Sequence, residues 1–321
     1  MKGIICGTGS YLPSCILDNY DIAKMVETSD EWIQERTGIK RRRIVDKETT
    51  VSMAAEAGKR ALNDAGMEAT DIDMILVSTV SSNIILPCAA CEVQRILGAD
   101  RAVCFDLNAA CSGFLFAYNT AMAYIASGIY KNILVIGSES LSNLTDWTDR
   151  GTCILFGDGA GAVVLRAEEG EGYQNIARSD GERGKALTCM SRCVKNWEEI
   201  SKKETYLQMD GRAVFQFAVK QVPQAIEQVL AANDLNIEAI NYFILHQANK
   251  RIVESAAKRL KAPIEKFPMN LQEYGNTSSA TIPILLDEMR KDGRLRPGQK
   301  IVMAGFGAGL SWGAVVLDWK I

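Results

Sequence analysis

Histidine is almost missing: position 246 holds the only one among 321 residues. A structural zinc site usually takes four His or Cys ligands, so one histidine beside a lone C-x-x-C (Cys88, Cys91) and a lone C-x-x-x-C (Cys189, Cys193) argues against a metal. An excess of one charge is missing too. The 36 basic residues stand against 39 acidic ones, a formal net charge of −3, which gives no reason to expect nucleic acid as a partner. No apolar run reaches the roughly 20 residues that span a bilayer, so no membrane partner is expected. The opening MKGIICGTGSYLP carries one lysine and breaks its apolar run at Gly7, which reads as a strand entering a turn and not as a signal peptide. These absences place the protein in the cytosol. Nine cysteines, an odd number without a regular framework, then read as reduced thiols, most of them small apolar side chains in a core.

What is present is a globular composition, 47% hydrophobic and 23% charged, in a chain long enough for one large domain or two ordinary ones. It also repeats itself. ALNDAGMEATDIDMILVST (61–79) lies on VLAANDLNIEAINYFILHQ (229–247) at an offset of 168, and each segment reads as a helix end, a polar link and a buried strand. The same offset carries Asn108 onto Asn276 and NILVIG (132–137) onto KIVMAG (300–305). GAVVL recurs at 161–165 and 313–317 with a smaller offset, so the first half holds an insert containing SLSNLTDWTDRGT. Two related α/β halves are expected, residues 1–170 and 171–321, meeting near EEGEGY (168–173).

Chemistry gathers at four places. From Leu107 to Tyr130 there are 24 residues without a charge, and Cys111 sits where an extended segment turns into a helix that reads as buried. Unpaired N–H groups and the helix dipole at such a position favour thiolate and predict a lowered pKa. His246 follows the apolar strand Tyr242–Leu245, a place where sites in α/β proteins gather, although a lone histidine also serves as a structural hydrogen-bonding residue. Asn276 lies in EYGNTSSATIP, opposite the Cys111 loop on the duplication; turn chemistry accounts for Gly275 and Asn276 equally well. MAGFGAGLSWG (303–313) puts four glycines into eleven residues after a strand. It lacks the Lys-Ser/Thr of a Walker sequence and suits backbone donors for an oxyanion better than a phosphate loop.

Together these residues resemble the thiolase-fold condensing enzymes, and most closely the beta-ketoacyl-acyl-carrier-protein synthase III family. The resemblance covers essentially the whole chain: GTGSYLP (7–13), TSDEWIQERTGI (28–39), AACSGF (109–114), TDRGT (148–152), FGDGAGA (156–162), HQAN (246–249), GNTSSA (275–280) and GFGAGLSWG (305–313), in the family's order. It implies a thiolase-like α/β fold of duplicated αβαβα halves, with two mixed sheets around buried helices. It implies a decarboxylative condensation that starts fatty-acid synthesis, with a related condensing or acyl-transfer enzyme of secondary metabolism as the alternative. Cys111 would take the acyl group from an acyl-CoA, and His246 and Asn276 would hold the malonyl thioester carbonyl as it becomes an enolate. Backbone N–H groups of Cys111 and Gly307 would hold the other oxyanion. An amide accepts no proton at neutral pH, so a His/Asn pair suits decarboxylation better than deprotonation. The last Gly-rich loop has no second cysteine, which argues against a thiolase.

The resemblance further implies Trp32 and Arg150 around the adenine of CoA, with Thr28, Arg36, Gly151 and Asn249 nearby. A core Trp32 with Arg36 as its neighbour one helical turn on explains the pair as well. Arg251, Lys258 and Arg259 would dock an acidic acyl-carrier protein, or simply form a solvated helix face; Gln216 stands where the family often has lysine. Leu86 occupies a position where many members close the acyl pocket with phenylalanine across a homodimer interface, so branched or longer starters than acetyl become plausible, with Trp147 filling some of the space. No cofactor is implied beyond the coenzyme A thioester substrate, and no metal.

Overall fold

The computed structural model describes residues 1–190 and 205–321, so Cys193 of the C-x-x-x-C pair lies outside the described residues. The fold is built around the uncharged stretch. With no charged side chain to keep wet, α5 (Gly113–Ala126) buries Phe114, Leu115, Ala117, Tyr118, Ala121 and Ile125. It shares one apolar cluster with Ile282, Leu285, Leu286 and Met289 of α10 (Thr281–Lys291).

Two mixed sheets enclose this helix pair. The first has the order β1 (Lys2–Tyr11), β7 (Asp158–Glu168), β6 (Asn132–Ser140), β4 (Met74–Ser78), β5 (Val103–Leu107), with β4 parallel to both neighbours and the other pairings antiparallel. The second has the order β11 (Tyr242–Leu245), β12 (Lys300–Gly307), β13 (Ser311–Asp318), β8 (Ile176–Ser179), with β11 and β12 parallel. Helices α3 (Thr50–Ala65) and α4 (Ala89–Leu97) cover the outer face of the first sheet, and α7 (Gly211–Ala231) and α8 (Lys250–Leu260) that of the second. Strands buried on both faces read as continuous apolar runs, which is why MILVS and YFIL are so plain in the sequence. The layers are therefore the helix–sheet–helix–sheet–helix arrangement expected of a thiolase-like α/β protein.

The repeat is visible in the backbone: β4 and β11, β6 and β12, and the first residues of α5 and α10 are each 168 positions apart. It fails at one place. The counterpart of β5 would fall at 271–275, where the chain instead forms the short helix α9 (Leu271–Tyr274), so the second sheet has four strands among the described residues. The extra residues of the first half, between β6 and β7, hold α6 (Arg150–Cys153), whereas β12 and β13 form a tight hairpin. Three small pieces complete the surface near these loops: the antiparallel pair β2 (Cys15–Asp18) with β3 (Arg41–Ile44), the pair β9 (Leu187–Thr188) with β10 (Gln208–Met209), and helices α1 (Asn19–Ala23) and α2 (Asp30–Thr37), which connect β2 to β3. No helix among the described residues is long and apolar enough to cross a membrane.

Candidate active site

Two matching turns at the N-termini of the buried helices form the floor of the site. In each, an asparagine side-chain oxygen accepts a hydrogen bond from the backbone N–H two residues on: Asn108 from Ala110 at 3.4 Å, Asn276 from Ser278 at 2.8 Å. Each then has a left-handed residue, Ala110 at φ 46° and Ser278 at φ 50°, followed by a 3₁₀ turn and the helix. A non-glycine in this region is unfavourable by about 1 kcal/mol and persists where surrounding structure dictates it. The first turn presents Cys111. The second presents Asn276, whose oxygen is engaged by Ser278 and whose NH₂ is therefore the free end.

Cys111, His246, Asn276 and Gly307 all line one cavity of about 280 Å³. Gly307, at the end of β12, must be glycine: a Cβ there would stand 2.7 Å from the Cys111 nitrogen and 2.9 Å from that of Ser112. The backbones of the Cys111 turn and the Gly-rich strand are thus in contact, as two donors to one oxygen require. The Asn276 backbone is fixed by the end of the insert, with its N–H on the Leu155 carbonyl at 2.9 Å and its carbonyl accepting from Gly157 at 3.0 Å. His246 packs edge-on against Phe306, ring centroids 5.5 Å apart, with Nδ1 2.7 Å from the Thr281 hydroxyl.

The electrostatics correct one expectation. Burial pushes the Cys111 thiol up to about 12, with the Glu139 charge acting in the same sense, against hydrogen bonds from Ser278 and its own N–H that favour thiolate. Cys111 retains some open surface toward the cavity, yet the protein packed around it outweighs the helix terminus that the sequence suggested would lower its pKa. Cys111 therefore rests as the thiol. Burial likewise holds His246 neutral, its pKa pushed down to about 3. Behind the floor lies a carboxylate that sequence reading missed. Glu139 is fully buried and accepts from Thr79, Ser81, Ser278, Ser279 and the Val80 N–H, and burial raises its pKa. Its position in the uninterrupted strand NILVIGSES hid it as a core-strand residue.

Around the mouth the sequence-predicted residues divide. Arg36, Gly151 and Asn249 line the cavity; Thr28, Trp32 and Arg150 stand outside its lining. The guanidiniums of Arg36 and Arg150 lie 4.7 and 5.0 Å from the Trp32 ring centroid, and the buried Thr28 hydroxyl has no protein partner. Asn249 has a structural task at both ends of its amide: its oxygen caps α8 at the Arg251 N–H and its NH₂ donates to the Arg36 carbonyl. Arg251, Lys258 and Arg259 are exposed on α8, at spacings of seven and eight that share one face. Arg251 stands 5.2 Å over the ring of Phe215, which lines the cavity.

Leu86 is not brought to Cys111: it and Ile85 are 84% and 87% exposed in the single chain. Trp147 does not fill the cavity either; it packs with Ile33, Ile39 and Cys153, its indole N–H on the Ser142 carbonyl. The apolar walls are Leu155, Phe156, Met209, Phe215, Phe306 and Leu310, none of which the sequence singled out. Phe306 alone carried a signal, as a large ring inside a Gly-rich loop. All eight described cysteines are free, and the Cys88 and Cys91 sulphurs are 3.4 Å apart.

Residues 105–181 match the family model described as 3-oxoacyl-(acyl-carrier-protein) synthase III, and residues 230–319 match its C-terminal model. A curated relative, the beta-ketoacyl-acyl-carrier-protein synthase III of Clostridium acetobutylicum, is 50% identical over 318 residues, 98% of each chain. Among solved structures, the 3-oxoacyl-acyl-carrier-protein synthase III of Aquifex aeolicus superposes with a TM-score of 0.93 at 42% identity, covering 99% of this chain and 100% of that one. The priming beta-ketosynthase of the R1128 polyketide biosynthetic pathway gives 0.93 at 34% identity, covering 99% and 96%.

Proposed function

From the premise that this chain belongs to the beta-ketoacyl-acyl-carrier-protein synthase III family, we propose that it is the acyltransferase that condenses an acyl-CoA starter with malonyl-acyl-carrier protein. That step starts fatty-acid synthesis. The observation that carries the reading is the convergence of Cys111, His246, Asn276 and Gly307 on one cavity.

In this reading the Cys111 sulphur attacks the thioester carbonyl, the new carbon–sulphur bond replaces the one to CoA, and the thiol proton departs on the CoA sulphur. Malonyl-acyl-carrier protein then enters. Its carboxylate leaves as carbon dioxide and the electron pair passes to the thioester as an enolate, whose oxygen His246 Nε2 and the Asn276 NH₂ hold. Neither group can take a proton there, since the imidazole is held neutral far below its ordinary pKa and an amide is no base. Decarboxylation thus generates the carbanion without a base. The carbanion attacks the acyl-cysteine carbonyl, the backbone N–H groups of Cys111 and Gly307 hold the oxyanion, and collapse releases the beta-ketoacyl product and the Cys111 thiolate, which takes a proton from water to restore the thiol.

Trp32, with two guanidiniums over its ring, offers a flat cationic surface for adenine and its phosphates, and beside it the buried Thr28 hydroxyl is left without a protein partner. Arg251, Lys258 and Arg259 form the basic face for the acidic carrier protein beside the cavity. We place the enzyme in the cytoplasm, as a homodimer in which the exposed Ile85–Leu86 tip packs against a second copy and completes its acyl pocket.

Intact-protein mass after brief exposure to acetyl-, isobutyryl- and longer acyl-CoAs tests the first half. One acyl adduct, absent in Cys111→Ala, is expected, and its mass names the starter. No adduct, or an equally labelled variant, would remove the first step of this mechanism.

A further inference from the structure

His246 carries the only imidazole of the chain, and its burial keeps the ring neutral, so one ring nitrogen alone has a hydrogen. Which one decides whether Nε2 meets the substrate as a lone pair or as an N–H. The choice is made behind the ring, where Nδ1 is 2.7 Å from the Thr281 hydroxyl. That hydroxyl has one hydrogen and two acceptors in reach, Nδ1 and the Ser278 carbonyl oxygen at 2.9 Å. Given to Ser278, it obliges Nδ1 to supply a hydrogen and leaves Nε2 bare. Given to Nδ1, it puts the hydrogen on Nε2.

Three observations favour the second arrangement. The Ser278 carbonyl already accepts the backbone N–H of Thr281, so the hydroxyl can leave it without orphaning a buried group. The contact to Nδ1 is the shorter of the two. Asn276 is fixed with its NH₂ as the free end by the 2.8 Å bond from Ser278, and a bare Nε2 beside it would repel the oxygen that the amide attracts. Phe306 limits the ring edge-on but offers no polar partner.

We propose that Thr281 is the positioning residue that fixes His246 as the Nε2–H tautomer, by donating its hydroxyl to Nδ1. The proposal rests on the reading that His246 and Asn276 hold the enolate oxygen.

A single histidine makes the test unusually direct, because protein labelled with ¹⁵N-histidine gives one pair of ring-nitrogen signals. In the full-length enzyme at neutral pH, Nε2 is expected in the protonated range and Nδ1 in the bare, hydrogen-bonded range. Thr281→Val removes the hydroxyl at nearly constant volume. It should shift both nitrogen signals toward a mixture of tautomers and slow carbon dioxide release from malonyl-acyl-carrier protein by roughly 100-fold. Thr281→Ser should restore signals and rate together, which a mere packing defect would not. A wild-type hydrogen on Nδ1, or unchanged nitrogen signals in Thr281→Val, overturns the tautomer assignment. Altered signals with an unaltered decarboxylation rate overturn the positioning role. The underlying reading fails separately, if His246→Ala decarboxylates at the wild-type rate.

Discussion

The turns Asn108–Gly113 and Asn276–Thr281 have the same backbone, down to the asparagine that closes them and the left-handed residue two positions later, and they do different work. The first is open: Asn108 is exposed and its bond to Ala110 is long at 3.4 Å. The second is tied in on every side, with Asn276 buried, Ser278 and Ser279 on Glu139, Ser279 on the Ser78 carbonyl and Thr281 on His246. Duplication supplied a rigid way to start a buried helix, and the side chains added to it decide whether the turn presents the Cys111 thiol or the Asn276 amide to the cavity. Asparagine to alanine at the two positions should separate these tasks most sharply. Asn276→Ala removes a donor aimed at the developing charge and is expected to slow condensation by roughly 10²–10³-fold. Asn108→Ala loses one exposed turn contact, about 0.5 kcal/mol of stability, with little change in rate. Equal losses in the malonyl-acyl-carrier-protein assay would show that the amide matters only for its turn.

The two halves also oppose each other in acid. His246, in the second, has a folded pKa near 3, well below its unfolded value, so between those values the unfolded chain binds the extra proton and stability falls as pH falls. Glu139 and Asp158, in the first, have folded values raised by burial, so they favour the folded state as pH falls and lose that contribution as it rises through their raised values. A comparison of wild type with His246→Gln isolates one side, because the carboxylates are common to both and no other histidine titrates. From pH 6.5 to 5 the wild type should lose about 2 kcal/mol more than the variant in urea unfolding. Parallel pH profiles would mean that the imidazole is hydrated in the folded state.

What the sequence made legible follows from the same division. Cys111, His246, Asn276 and Gly307 sit at strand ends and helix starts, where charge-free runs, a lone histidine and clustered glycines stand out locally. Glu139 and the walls Phe156, Phe215 and Phe306 depend on contacts between segments far apart in the chain, and only the fold brings them together. The direction of the Cys111 pKa failed for that reason. A helix N-terminus can be read from a dozen residues, whereas the burial that outweighs it comes from β12, β13 and the facing turn at Ser278–Ala280, far away in the chain. The missing counterpart of β5 is similar, since LQEY becomes helical between an asparagine and Gly275, whose φ of 65° stops any extended continuation.

The floor of the site and its mouth form a second contrast. The floor is buried and hydrogen-bonded, while Trp32 meets Arg36 and Arg150 near solvent without a buried partner for either charge. Interactions of that kind tune affinity more than chemistry, so Arg150→Ala should raise the KM for acyl-CoA about tenfold at nearly unchanged kcat. A fall in kcat of the same size would place Arg150 in the reacting geometry and erase the contrast.

The smallest effect tests the turns themselves. Ala110 and Ser278 both occupy the left-handed region, where glycine escapes a steric penalty of about 1 kcal/mol but loses roughly half of that gain to its freer unfolded chain. If the strain were all that these positions carried, both glycine variants would melt slightly higher. Ala110 has only a methyl group to lose, so Ala110→Gly is expected to gain about 0.5 kcal/mol. Ser278→Gly also removes the hydroxyl from buried Glu139, leaving that carboxylate one donor short, and the cost of about 1 kcal/mol reverses the sign. Opposite shifts in the two melting temperatures would therefore mean that the second turn is held by its network and the first by its neighbours alone. Equal gains would mean that Glu139 does not need Ser278, and that the left-handed serine is strain without a purpose in the hydrogen-bonded floor.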